Sequence, residues 1–96
     1  KLGTLIVRNK KKYTTGIITD GQIRKLNSKN INLKLLKVKK VMTKNPIKIE
    51  KNTLATKALS IMNEKKITCL CVYDVKKKSK TIGIIHVHNI LENKIY

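Results

Sequence analysis

Two stretches of the chain repeat the same succession of apolar and polar residues. The segments GTLIVR (Gly3 to Arg8) and CLCVYD (Cys69 to Asp74) are short apolar runs, each followed by a lysine-rich polar turn. A second run closes each stretch: YTTGIIT before DGQIRKL, and TIGIIHV before HNILENK. Each stretch is predicted to form a strand, a turn, a strand and a short helix, with Gly16 and Gly83 at equivalent positions. The spacing is 66 residues at the first strand and 67 at the glycine, which predicts a turn one residue longer in the second copy.

The second copy has a longer lead-in than the first. The segment VMTKNPIKI predicts a turn at Asn45-Pro46 and then an extended stretch, because proline disfavours helix for the residue before it. A helix should follow, capped by Asn52 or Thr53. Residues at helical spacing predict its apolar face: Leu54, Ala55, Ala58, Leu59, Ile61 and Met62.

The first copy lacks about 26 residues of this lead-in, the equivalent of one strand and one helix. A sheet without its helix has an apolar face that needs cover. We therefore predict that the chain exposes an apolar surface or borrows cover from another copy, and that it forms at least a dimer.

The charge of the chain raises the question of nucleic-acid binding. The net charge is +18, but 21 of the 23 basic residues are lysine, and only Arg8 and Arg24 carry the arginine fork that base-edge recognition favours. The three tyrosines, without Trp or Phe, do not form a stacking platform. Lysine, isoleucine and asparagine supply 44 of the 96 residues, a bias that an AT-rich genome imposes on any protein. We expect weak adhesion to polyanions at low salt and no specific nucleic-acid binding.

Other bulk features exclude further classes. No run approaches the roughly 18 apolar residues of a membrane span, and the chain opens with Lys-Leu-Gly-Thr, without an initiator Met or an apolar signal. We expect a cytoplasmic fragment of a larger protein. Cys69 and Cys71 lie on one strand face with parallel side chains, a poor geometry for a disulfide, so two buried thiols are predicted.

The ordered segments resemble the CBS domain, a strand-helix-strand-strand-helix unit of about 60 residues that is repeated in tandem. GIITDGQIRK is similar to GIFTDGDLRR of bacterial D-arabinose 5-phosphate isomerases. VMTKNPIKI, MNEKKITCLCVYD and GIIHVHNIL are similar to VMTRNPKTI, MEERKITALPVVD and GILHLHDLL of the same enzymes.

The resemblance implies an α/β (α+β) fold of tandem CBS repeats, each a small sheet with flanking helices, the first without its N-terminal strand and helix. Residues 1–27 would form the end of the first repeat, 28–41 a linker and 42–96 the second repeat. The parent enzyme would interconvert ribulose 5-phosphate and arabinose 5-phosphate for synthesis of Kdo, a lipopolysaccharide sugar. Its catalytic sugar-isomerase domain would lie before Lys1, so we expect no catalytic residues in this fragment and no required cofactor.

The resemblance also implies ligand contacts, because CBS pairs that bind adenine nucleotides use a Ser or Thr after the strand and an Asp three residues later. The matching positions are Thr19 and Gln22 in the first repeat and His86 and Asn89 in the second. Neither repeat keeps the Asp, and each has an amide side chain in its place. The loss of two charge-assisted hydrogen bonds to a ligand weakens binding by roughly 1.5 to 3 kcal/mol for each bond. Tight binding of an adenosine nucleotide is therefore not expected, and a sugar nucleotide or sugar phosphate is an open alternative effector.

Further residues have competing interpretations. Asp20 is predicted to cap the helix in preference to contacting a ligand, and Gly21 and Arg24 would flank an anion pocket. His86 and His88, with the two cysteines, could supply four zinc ligands, but pairs two residues apart rarely point at one tetrahedral centre, so no metal is predicted. Either histidine could instead act in a neighbouring isomerase site, or simply lie at the surface or at a helix start.

Three functions compete on the sequence alone. The first is a regulatory and oligomerising module of an isomerase, the second a stand-alone CBS protein that senses adenine nucleotides, and the third a basic nucleic-acid-binding module. The first predicts an upstream sugar-isomerase domain in the same gene. The second predicts a short reading frame and affinity for adenosine phosphates, and the third predicts nucleic-acid binding that survives physiological salt.

Overall fold

The computed structural model describes residues 3–92, and the chain divides into a first unit, Lys1–Pro46, and a second unit, Ile47–Tyr96. The described part of the first unit consists of β1 (Thr4–Arg8), β2 (Thr14–Thr19), α1 (Asp20–Ser28), a 3-10 turn (Leu33–Leu35), α2 (Val38–Val41) and β3 (Thr43–Lys44). The described part of the second consists of β4 (Lys48–Glu50), α3 (Ala55–Lys65), β5 (Cys69–Asp74), β6 (Lys77–His86) and α4 (Val87–Glu92). The predicted repeat boundaries stay a prediction.

Each unit contains a three-stranded sheet. In the first unit the order is β1-β2-β3 and both pairings are antiparallel. In the second unit the order is β4-β5-β6, with β4 parallel to β5 and β6 antiparallel to it. The parallel pairing needs a crossover connection, and α3 provides it. The mixed α+β architecture predicted from the sequence is therefore confirmed.

The internal repeat is visible in the strand register. Val7 lies opposite Gly16 in the first unit, and Val72 lies opposite Gly83 in the second. Both hairpins also have an irregularity directly after that valine. The two units therefore share one hairpin design, as the sequence predicts.

The predicted spacing of the repeat is wrong by one residue at the first strand. The register makes Val7 equivalent to Val72, 65 positions away, whereas Gly16 and Gly83 are 67 positions apart. The turn of the second hairpin is thus two residues longer, not one. Short apolar runs align equally well at neighbouring offsets, and only the cross-strand pairing decides between them.

The second unit has a well-defined hydrophobic core. Strand β5 is buried on both faces at its start, and Leu70 is 1% exposed. Helix α3 packs against this strand with Ala58 and Met62, which are both buried as predicted. The rest of the buried cluster consists of Ile49 and Ile90, with the half-buried Leu59, Ile61, Ile67, Val72, Ile85 and Val87 around it.

The predicted start of α3 is wrong. The helix begins at Ala55, and Leu54 occupies the cap position without a side-chain hydrogen bond and is 73% exposed. Asn52 does not cap the helix because its backbone N–H and side-chain amide both turn back to the Glu50 carboxylate, at 2.7 and 3.5 Å. The backbone N–H of Thr53 likewise donates to the Glu50 carbonyl, at 2.9 Å. A local turn around Glu50 thus replaces the predicted cap.

The first unit lacks the cover that the second unit has. Leu5 is the repeat equivalent of Leu70, yet it is 65% exposed. Within residues 3–92, β1 has no parallel neighbour corresponding to β4, and it forms an edge of its sheet. The predicted exposed apolar surface is therefore present on β1.

We predict that Gly16→Ala destabilises the protein, whereas Gly83→Ala is tolerated. An ideal Cβ on Gly16 would lie 2.6 Å from Met42 Sδ and 2.8 Å from the Thr43 carbonyl oxygen, but one on Gly83 would meet no atom within 4 Å. Crowding of this kind costs about 1 to 3 kcal/mol, while Gly83→Ala should change stability by less than about 1 kcal/mol. Urea denaturation followed by circular dichroism measures both variants, and equal stability of the two would contradict the close approach of β2 and β3.

Candidate ligand-binding residues at two helix starts

The start of α1 is held by a reciprocal pair of hydrogen bonds. Thr19 is the N-cap, and its Oγ1 accepts a hydrogen bond from the Gln22 backbone N–H at 3.3 Å. The Gln22 Oε1 in turn accepts from the Thr19 backbone N–H at 2.7 Å and from the Thr19 hydroxyl at 3.2 Å. This arrangement is a capping box, which satisfies two backbone groups that a helix start otherwise leaves without partners.

Gln22 also ties the helix to the third strand of the first unit. Its Nε2 donates to Thr43 Oγ1 at 2.7 Å. The amide oxygen and the amide nitrogen of Gln22 are therefore both engaged within the protein. A ligand that used either atom would compete with these bonds.

The predicted capping role of Asp20 is wrong, because Thr19, one residue earlier, is the cap. Asp20 is the first residue of α1, and its carboxylate forms an exposed ion pair with the Arg24 guanidinium at 3.0 Å. The hydrogen bond from Arg24 lowers the pKa of the Asp20 carboxyl. Arg24, which is predicted to flank an anion pocket, is thus paired with a carboxylate of the same helix.

The start of α4 has a related pair of hydrogen bonds, but here the side chain of the cap residue accepts from the residue two positions later, not three. The Asn89 Oδ1 accepts from the His86 backbone N–H at 3.0 Å, and His86 Nδ1 accepts from the His88 backbone N–H at 3.2 Å. The two imidazole rings stack with centroids 4.9 Å apart and planes 20° apart. The equivalence of Thr19 to His86 and of Gln22 to Asn89 is therefore structural as well as sequential.

The cysteines and histidines of the second unit do not converge on one point. Cys69 lies opposite His86 on the neighbouring strand, and Cys71 lies opposite Ile84. Both thiols are buried as predicted, and neither forms a disulfide. Burial raises the pKa of the Cys71 thiol, against a smaller lowering by its hydrogen bond with Thr81. Across residues 3–92, no three His, Cys, Asp or Glu side chains lie close enough together to hold a metal ion.

Both units have a surface cavity beside a helix. In the first unit a cavity of about 430 Å³ is bordered by Gln22 and the lysines 25, 29 and 40. In the second unit a cavity of about 660 Å³ is bordered by Met62, Ile67 and Val87. Of the residues predicted to contact ligand, Gln22 borders the first cavity.

In the described part of the chain, no helix is long and apolar enough to cross a membrane.

Comparison with known proteins establishes the family. The model of the CBS domain family matches residues 38–95, more than half of the chain. The chain therefore belongs to the CBS domain family, as the resemblance implied. The solved CBS domain pair of protein MJ0100, in complex with 5'-methylthioadenosine and S-adenosyl-L-methionine, superposes with a TM-score of 0.81 at 21% identity. The match covers 96% of this chain and 69% of that one.

Two curated relatives extend over nearly the whole chain. The uncharacterised protein RP505 of Rickettsia prowazekii is 38% identical over 95% of this chain and 27% of its own length. Arabinose 5-phosphate isomerase KdsD of Yersinia pestis is 33% identical over 94% of this chain and 26% of its own length. The chain spans about a quarter of the relatives that it matches, and it is homologous to the CBS region of KdsD.

We predict that Thr19→Ala destabilises the protein by about 1 kcal/mol, the usual cost of losing a cap side chain. Thr19→Ser is the matched control, since it keeps the hydroxyl that accepts the Gln22 N–H. Urea denaturation measures both variants. Equal losses for Ala and Ser would show that the methyl group of Thr19 matters and the capping hydroxyl does not.

Proposed function

We propose that this chain is the CBS module of a larger arabinose 5-phosphate isomerase, in which it assembles and regulates the enzyme. The observation that carries the proposal is the 33% identity to KdsD over 94% of the chain, confined to 26% of that enzyme. On this proposal, a sugar-isomerase domain outside the chain interconverts ribulose 5-phosphate and arabinose 5-phosphate in the cytoplasm. The fragment itself is then inactive.

The assembling role is supported by the bare edge of β1. Its counterpart β5 is covered by the parallel strand β4 and by α3. The first strand of the hairpin is therefore shielded from solvent in the second unit and exposed to it in the first. An edge strand with an exposed leucine favours pairing with further polypeptide. In the parent protein we propose that this cover comes from a preceding strand and helix, and that an isolated fragment associates at least as a dimer.

The regulatory role requires an effector, and we propose a nucleotide or sugar nucleotide. The solved neighbour described above was crystallised with two adenosine compounds, which supports this ligand class. On this proposal Thr19, Gln22, His86 and Asn89 contact the effector, with Asp20 and Arg24 close by in sequence. The four are already engaged in helix caps, so an effector must either open the caps or use their remaining surface. We therefore propose that the effector binds weakly, and that its affinity depends on whether the capping hydrogen bonds are formed or broken.

The isomerase proposal is tested with the protein encoded by the whole reading frame. It is compared with a version from which the 96 residues of this chain have been removed. We expect the whole protein to convert ribulose 5-phosphate to arabinose 5-phosphate. The shortened version should keep activity per catalytic site but form smaller oligomers, because it has lost the module that associates. Absence of an upstream isomerase domain, or of the activity, would refute the proposal and favour the stand-alone nucleotide sensor.

The effector proposal is tested by restoring the acidic residue that the adenosine-binding pattern contains. We predict that the double variant Gln22→Asp, Asn89→Asp binds AMP at least about tenfold more tightly than the native chain, since one charge-assisted bond is worth about that factor. Gln22→Asn is the matched control without charge and should give no gain. Titration calorimetry measures all three. If nucleotides, sugar nucleotides and sugar phosphates all fail to bind at millimolar concentration, neither helix start is an effector site.

A further inference from the structure

The caps of the two units differ in one chemical property. Thr19 caps α1 through a hydroxyl that does not titrate in the physiological range. His86 caps α4 through an imidazole nitrogen, at 3.2 Å from the backbone nitrogen of His88. The hydrogen bond to the cap side chain is thus insensitive to pH in the first unit, where Gln22 donates it, and depends on protonation in the second, where His88 donates it.

The hydrogen bond to His86 needs a particular form of the ring. Nδ1 accepts an N–H only in the neutral imidazole whose proton is on Nε2. In the imidazolium both ring nitrogens donate, so Nδ1–H would face the His88 N–H, and a positive charge would sit at the start of a helix, where it is unfavourable. Proton uptake and capping are therefore mutually exclusive.

We propose that His86 is a protonation-sensitive cap that holds the start of α4 in neutral solution and releases it on acidification. Imidazole is the side chain whose charge changes between pH 5 and 8. Because the proton competes with the cap, the capping bond is fully formed at the upper end of this range and is lost as the pH falls.

The groups around His86 determine how far the effect of its protonation extends. The ring of His88 stacks on that of His86, with centroids 4.9 Å apart. Cys69 lies opposite on β5 and is buried. Two bonds at this helix start do not titrate: Asn89 Oδ1 to the His86 N–H, and the Val87 N–H to the Thr68 carbonyl at 2.7 Å. Acidification should therefore loosen the first turn of α4 without unfolding the second unit.

The experiment is amide hydrogen exchange by NMR on the 96-residue chain at pH 7.5 and 5.5, with each rate corrected for its intrinsic pH dependence. We expect the protection of the His88 N–H to fall about tenfold on acidification, the factor that the loss of one hydrogen bond commonly confers. His86→Thr copies the cap of the first unit and should lose this pH dependence. His88→Gln should keep it, and the Gln22 N–H serves as an internal control that should change less than about twofold.

Two results would overturn the proposal. One is an equal loss of protection in native protein and in His86→Thr. The other is a nitrogen spectrum of the native protein at pH 7.5 in which the proton of the neutral His86 ring resides on Nδ1, since that nitrogen then cannot accept. The spectrum needs no variant, so the proposal remains decidable even if His86→Thr does not fold.

Discussion

The antiparallel pairing of two strands in each unit is the constraint on which the rest of the structure depends. It places Thr4 opposite Thr19 and Cys69 opposite His86, and in both units the helix starts directly after the second strand. The last strand residue therefore becomes the N-cap, and the residue three positions later returns the hydrogen bond. One pairing register thus positions the cap residue, Thr19 or His86, at the start of each helix.

The same hairpin has different surroundings in the two units, and this difference connects the structure to function. In the second unit β4 and α3 bury Leu70, whereas in the first unit Leu5 faces solvent. Burying a leucine side chain contributes about 1.5 to 3 kcal/mol, so the first unit gains stability from whatever covers it. A module whose stability depends on added polypeptide is suited to joining parts of a larger protein, which is the role proposed here.

Much of the fold follows from the sequence because apolar periodicity and glycine placement are local signals. They predict both hairpins, the helices after them and the buried face of α3 around Ala58 and Met62. The repeat offset and the cap of α3 do not follow, because cross-strand register and the bonds of Asn52 to Glu50 depend on three-dimensional geometry. At the candidate sites, Thr19 with Gln22 fits the capping-box pattern. His86 with Asn89 does not match any such sequence signal, so that cap is visible only in the structure.

The shared register is tested most directly by long-range NOEs in the intact chain. We expect contacts across the strands between Val7 and Gly16, and equally between Val72 and Gly83. A shift of either valine by one position would turn its strand over and move the side chains of that strand to the opposite face of the sheet. Finding Val7 opposite Ile17, or Val72 opposite Ile84, would contradict the common hairpin design.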